Sequence, residues 1–172
     1  MAVSDVAIDQ STENEVVVSR IINAPRSLVF KAWSDREHLM KWFAPATFTL
    51  PSCSVDFRVG GKFHYCMRTP DGSEVWGLGI YKEIMEPSLI VYSDSFADAG
   101  GNAVSPTHYG CSESYPFETL ISIIFEEYNG KTRIILRHAV KQGVKEREGI
   151  FQGWSEMLQR LDEHASSTER KS

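Results

Sequence analysis

Hydrophobic and polar positions change their period twice along the chain. Val16-Val17-Val18-Ser19-Arg20-Ile21-Ile22 is short and rich in β-branched residues, which predicts a strand ending at Asn23-Ala24-Pro25. Leu28, Val29, Ala32 and Trp33 then recur at helical spacing, and the fixed φ of Pro25 suits the first helical position. That helix is expected to stop near Ser34. Ser34-Asp35-Arg36-Glu37 has the capping-box pattern, a hydroxyl and a carboxylate three residues apart, and Leu39, Trp42 and Phe43 give a second short helix its apolar face before Pro45 breaks it.

From Thr47 to Val140 the period is two. Turn chemistry at Gly60-Gly61, Thr69-Pro70-Asp71-Gly72, Glu86-Pro87-Ser88 and Tyr128-Asn129-Gly130-Lys131 divides the region into strands over Phe48–Phe57, Lys62–Arg68, Glu74–Met85, Leu89–Phe96, Phe117–Glu127 and Thr132–Val140. Hairpins join successive runs, so the pattern predicts an antiparallel meander of about seven strands, the first strand included. The segment Asp98–Pro116 has little periodicity and is long for a connection, the usual mark of a lid or binding loop. After Gly143, Ile150, Phe151, Trp154, Met157, Leu158 and Leu161 return at intervals of three and four, predicting an amphipathic helix that ends near His164. Its apolar face needs a partner, and the sheet is the surface large enough to take it.

The chain has 172 residues, 42% of them hydrophobic and 24% charged, a globular composition at a length that suits one domain. Residues 15–165 are expected to form it, with residues 1–14 and 166–172 flexible. Eighteen basic against 23 acidic residues give a net charge of -5, which lacks the basic footprint that nucleic-acid binding requires. Cys53, Cys66 and Cys111 form no C-x-x-C pair and are odd in number, which fits a reducing, cytoplasmic setting. Asp5 and Asp9 stand where a signal peptide needs a basic start and an apolar run, and no stretch is apolar for long enough to enter a bilayer.

Signatures of chemistry are sparse. No G-x-S-x-G elbow occurs. Gly77-Leu78-Gly79 begins like a dinucleotide fingerprint, but Lys82 occupies the third glycine position and the stretch reads as strand, so no cofactor is expected. The small residues instead let something large approach the sheet. His64 and Cys66 share a strand face, but with Cys53 and His138 they lack a second spaced ligand pair, and no metal is expected. No catalytic residue is assigned. An enzyme reading would have to draw its acid or base from His64, His108 or His138.

Several stretches in order resemble one family. Ile22-Asn23-Ala24-Pro25 with Val29-Phe30, Asp35-Arg36-Glu37-His38-Leu39 and Lys41-Trp42-Phe43 are similar to the opening of proteins like the C-terminal domain of the heat-shock-protein-90 ATPase activator. Val59-Gly60-Gly61-Lys62-Phe63, Pro70-Asp71-Gly72, Gly79-Ile80-Tyr81-Lys82-Glu83-Ile84, Leu136-Arg137-His138 and Gly153-Trp154 continue the resemblance. It runs from Val16 to about His164 and looks like a single-domain, bacterial-type member of that branch of the START-like, or SRPBCC, superfamily. The resemblance implies an α+β helix-grip fold, a curved antiparallel sheet wrapped around a long C-terminal helix with two short helices after the first strand. It also implies a cavity for a small hydrophobic molecule, with a chaperone co-factor or a cyclase-like or stress-response enzyme as the alternative functions, in a monomer or homodimer.

That cavity is expected between sheet and C-terminal helix, predominantly apolar. Trp42, Phe63, Tyr65, Trp76, Tyr92, Phe96, His138 and Trp154 are the candidate lining residues, and His108 and Tyr109 candidate lid residues in the segment over its mouth. Parity places Thr132, Ile134, Leu136 and His138 on the face toward the helix. It also separates Phe63 and Tyr65 from His64 and Cys66, leaving open which pair faces inward.

Overall fold

The computed structural model describes residues 7–171. Its elements in chain order are β1 (Ile8–Asp9), β2 (Val16–Ile22), α1 (Arg26–Ser34), α2 (Arg36–Trp42), β3 (Thr49–Val55), β4 (Lys62–Arg68), β5 (Glu74–Met85), β6 (Leu89–Ala97), β7 (Thr119–Tyr128), β8 (Lys131–His138) and α3 (Arg147–Lys171). The strands form one antiparallel sheet in the order β1-β2-β8-β7-β6-β5-β4-β3. From β3 to β8 it is the meander that the turns dictate, and β2 closes it against β8 with Val16 opposite His138 and Ile22 opposite Thr132. The sheet has eight strands where about seven were expected. The addition is Ile8–Asp9, too short to show a period, which pairs with Ser19 and Val18.

Strands β2, β4 and β5 begin and end where the alternation put them. The helix ends differ for reasons of local chemistry. Pro25 is extended, with ψ 153°, and sits just before α1 rather than in its first position. The cap of α2 is Asp35 and not Ser34: the Asp35 carboxylate accepts from the Glu37 N–H at 3.0 Å, directly satisfying one orphan amide. Helix α3 runs to Lys171, past the expected end at His164. Nothing local stops it there, because Ser166 and Thr168 turn their hydroxyls onto neighbouring groups, Thr168 onto the His164 carbonyl at 2.8 Å.

Trp154, Met157, Leu158, Leu161 and Ala165 are the buried apolar residues of α3, spaced to make one stripe. The stripe lies along β2 and against α1 and α2. The rings of Trp33 and Trp154 stack at 6.2 Å, Trp33 meets Trp42 at 4.7 Å, and Phe43 meets Trp154 at 6.0 Å. The Trp42 indole N–H is satisfied by the Ala32 carbonyl at 2.9 Å, so the ring can be fully buried without an unmet donor. One buried ion pair fixes the helix lengthwise: Arg20 Nη2 on β2 lies 3.4 Å from Asp162 Oδ2 on α3. Asp162 also accepts from the Asn23 backbone N–H at 2.8 Å, so both its oxygens are engaged at the end of β2.

Trp154→Ala removes the ring that joins α3 to α1 and α2, a large-to-small change that should cost about 3–5 kcal/mol. Urea unfolding monitored by circular dichroism measures it. A loss within a few tenths of a kcal/mol would place Trp154 outside the core.

Candidate functional site

The inward parity of the sheet is settled by which rings meet. Phe63 and Tyr65 of β4 lie 5.0 and 5.2 Å from Phe43, so this pair faces α3. His64 and Cys66 face the other way. Trp76 goes with them: it is paired with Cys66 across the ladder and stacks on His64 at 4.8 Å. Expected to line the grip, Trp76 therefore lies on the opposite side of the sheet, because its neighbour Gly77 is the residue that takes the inward position.

Gly77 shapes what is built there. A Cβ at Gly77 would come within 2.2 Å of the Tyr65 ring, so the absent side chain is what lets that ring lie across β5. Gly79 makes similar room for Tyr92, whose ring would be 2.9 Å from an added Cβ. Lying over Gly77, Tyr65 reaches β6 and donates its hydroxyl to Asp94 Oδ1 at 2.9 Å. Asp94 stands between Tyr92 and Phe96 at the same parity of β6. Tyr115 completes the surroundings, its ring 5.6 Å from Phe96. Protein encloses Asp94 and Tyr65, yet neither is fully buried and both keep part of their surface accessible.

Enclosure governs the electrostatics. Loss of water pushes the Asp94 carboxyl up to about 7, only partly countered by the Tyr65 hydrogen bond. Burial and the nearby Asp94 charge push the hydroxyls of Tyr65 and Tyr115 well above the ordinary phenol value. Tyr92, only 1% exposed, has a buried hydroxyl with no hydrogen-bond partner among the described residues. His138, at the floor beside this centre, is built differently. Its Nδ1 accepts from the Trp154 indole N–H at 3.0 Å, and indole can only donate. The ring proton is thereby assigned to Nε2, which donates to Thr119 Oγ1 at 2.9 Å. Burial lowers the His138 pKa to about 4, and with both nitrogens occupied the ring is a structural tie between β8, β7 and α3.

The connection between β6 and β7 crosses this end of the molecule. Pro106–Tyr109 forms a 3-10 turn, and Tyr109 lays its ring 5.6 Å from Phe96 while its hydroxyl donates to the Ala97 carbonyl. His108 is exposed and touches Tyr109. Further along, the backbone N–H and the hydroxyl of Ser112 both donate to the Glu146 carboxylate at 2.7 Å, tying the segment to the chain just before α3. Two open grooves lie elsewhere. A groove of about 930 Å³ runs between the N-terminal segment and the start of α3, where Arg147 donates to the carbonyls of Glu13 and Glu15. A second, of about 430 Å³, follows the outer side of α3 past Arg20 and Gln159.

Among the aromatic candidates, Trp42, Phe63, Tyr92 and Trp154 are packed in the core, whereas Tyr65 and Phe96 border the space around Asp94. Asp94 and Tyr115 were not singled out in the sequence. Asp94 did carry a signal, being a charged residue at the inward parity of a strand whose neighbours at that parity are Ile90, Tyr92 and Phe96. Cys53, Cys66 and Cys111 are unpaired. The described residues contain no group of three or more His, Cys, Asp or Glu placed to hold a metal ion, and no helix long and apolar enough to cross a membrane.

A curved antiparallel sheet closed on one long C-terminal helix, with two short helices at its end and an enclosed polar centre inside, defines a helix-grip α+β protein. The chain belongs to the family described as activator of Hsp90 ATPase homolog 1-like protein, whose model matches residues 23–166. A search of curated proteins gives no significant match. Among solved structures, a Nitrosomonas europaea protein is similar at 20% identity and a TM-score of 0.75, over 93% of this chain and 99% of its own. A Staphylococcus epidermidis protein reaches a TM-score of 0.76 at 23% identity, covering 93% of this chain and 94% of its own. The AHSA1 protein of Silicibacter pomeroyi gives 0.71 at 19% identity, over 92% of this chain and 99% of its own. At these identities the likeness is one of fold.

Asp94 and His138 set opposing pH dependences. Between its ordinary 3.8 and about 7, Asp94 binds more protons in the folded state, so its contribution is present at low pH and is lost as pH rises through 7. His138 binds more protons when unfolded between about 4 and 6.5, so its contribution is present above 6.5 and is lost as pH falls. Over the shared range the two cancel. Each substitution should unmask the other: Asp94→Asn should gain stability relative to the native sequence with rising pH, and His138→Gln should lose it, each by up to about 1.4 kcal/mol per pH unit. Urea titrations at pH steps across this window measure both slopes, and parallel profiles for all three proteins would refute the assignment.

Proposed function

We propose that the protein binds and carries a small hydrophobic molecule between the sheet and α3, at the end where Tyr65 meets Asp94. The observation that carries this reading is the Tyr65–Asp94 hydrogen bond, a polar pair set among aromatic rings where protein encloses both residues yet leaves part of their surface accessible. The family's grip architecture supports it. In this reading Trp42, Phe63, Tyr92 and Trp154 form the rigid wall, Tyr65 and Phe96 contact the ligand, and His138 holds the floor. Residues 98–116 act as the lid, with Tyr109 against Phe96 and Ser112 bound to Glu146. Carriage requires no nucleophile or metal. The unpaired cysteines support a cytoplasmic workplace.

The experiment is binding of Nile red, followed by its displacement with fatty acids, flavonoids and polyketides and by the accompanying rise in melting temperature. A ligand held only by the native state stabilises it, by about 2.7 kcal/mol at a hundred times its dissociation constant. Gly77→Ala, which puts a methyl into the Tyr65 ring, should weaken dye binding severalfold while leaving far-ultraviolet circular dichroism unchanged. Absence of dye binding and of any thermal shift across the library would refute the carrier reading.

A further inference from the structure

Asp94 is an enclosed carboxyl without a counter-charge. None of the ion pairs among the described residues includes it, and no cation contributes to its electrostatic surroundings. Oδ1 takes the Tyr65 hydroxyl, whereas Oδ2 receives no hydrogen bond from a described residue. Four aromatic residues surround it in part. Tyr92 and Phe96 flank Asp94 on its own strand, Tyr65 arrives from β4 over Gly77, and Tyr115 arrives from the covering segment.

Each candidate head group can be judged against this arrangement. A carboxylate ligand would set two negative charges together in a medium of low polarity and is repelled while Asp94 is ionised. A hydroxyl would donate to Oδ2 and leave the charge uncompensated. An ammonium group donates to Oδ2, supplies the missing charge, and meets ring faces whose quadrupoles attract cations. Resting on the carrier reading above, we propose that the Tyr65–Asp94 centre anchors the protonated amine head of an amphipathic ligand. The tail then lies along Phe96 and Tyr115, the partly exposed rings at the covering segment.

The groups facing Asp94 are Tyr65 from β4, Tyr92 on its own strand and Tyr115 from the covering segment, with His138 on β8 reached through Thr119. The three tyrosines stay neutral because burial raises their hydroxyls, and His138 stays neutral because burial lowers its ring. Asp94 is therefore the group that changes charge near neutrality, and amine affinity should fall as acid neutralises it.

The test uses three probes of one chain length, nonylamine, 1-nonanol and nonanoic acid, each displacing Nile red from the full-length protein, with calorimetry to fix the affinities. At about pH 8 nonylamine should bind at least about tenfold more tightly than nonanol, the scale of a desolvated charge-assisted contact. The preference should shrink at about pH 5.5, where the carboxyl is neutral, and vanish in Asp94→Asn while nonanol binding persists. Tyr65→Phe, which keeps the ring but removes the hydrogen bond that holds the carboxyl down, should move the amine preference to higher pH. Equal binding of amine and alcohol by the native protein overturns the proposal, as does an amine preference that survives in Asp94→Asn, which would trace to the acidic surface. Nile red binding with no amine preference leaves the carrier reading standing, whereas failure of the dye and all three probes to bind overturns both.

Discussion

Trp154 is where the separate parts of this fold are held to one another. Its ring stacks on Trp33 of α1 and meets Phe43 at the end of α2, and its indole N–H fixes the tautomer of His138 on β8. A helix lying on a curved sheet can slide or rotate about its axis, since the apolar attraction between them has no direction. The indole bond has one. It sets the rotation of α3, the Arg20–Asp162 pair fixes it along β2, and the aromatic cluster fills the end of the grip beside α1 and α2.

The neighbouring part of the grip, over β4 to β6, is built differently. At Gly77 and Gly79 the sheet has no inward side chain, and the rings of Tyr65 and Tyr92 take the space. Where a leucine would have filled the interior, the chain places a carboxyl and hydroxyls instead. Their cost is desolvation, which registers in the raised Asp94 and the unpartnered Tyr92 hydroxyl. An interior optimised for stability alone would have neither, and such departures from good packing are characteristic of functional sites.

Most of the architecture was legible because a period of two and good turn residues leave few alternatives. β4 and β5 could be bounded to the residue, since glycine or proline turns close both ends. Face assignment was harder. Nothing local distinguishes Phe63 and Tyr65 from His64 and Cys66, and only the arrival of Phe43 from a distant helix decides it. Trp76 was misplaced for the same reason, its size suggesting the interior while the ladder gave that position to Gly77. Asp94 went unnoticed because an acidic residue in a strand reads as solvent-facing, although Tyr92 and Phe96 two residues either side shared its face. The cap of α2 was displaced by one residue because Ser34 and Asp35 can both supply an oxygen, and the backbone geometry chose the carboxylate.

The closure of β2 on β8 has a consequence for how the chain is made. Val16–Ile22 is buried along its whole length, yet its main partner is near the other end of the sequence, with Val16 opposite His138. During synthesis the ribosome releases this β-branched segment first. The meander from β3 to β7 can pair strand by strand as it emerges, while one full edge of β2 stays open until β8 follows. An exposed apolar edge is the surface through which nascent chains associate with one another. For this fold, the interval between translating the second strand and the last is therefore the period of greatest exposure to misassembly, and the pairing of β8 ends it.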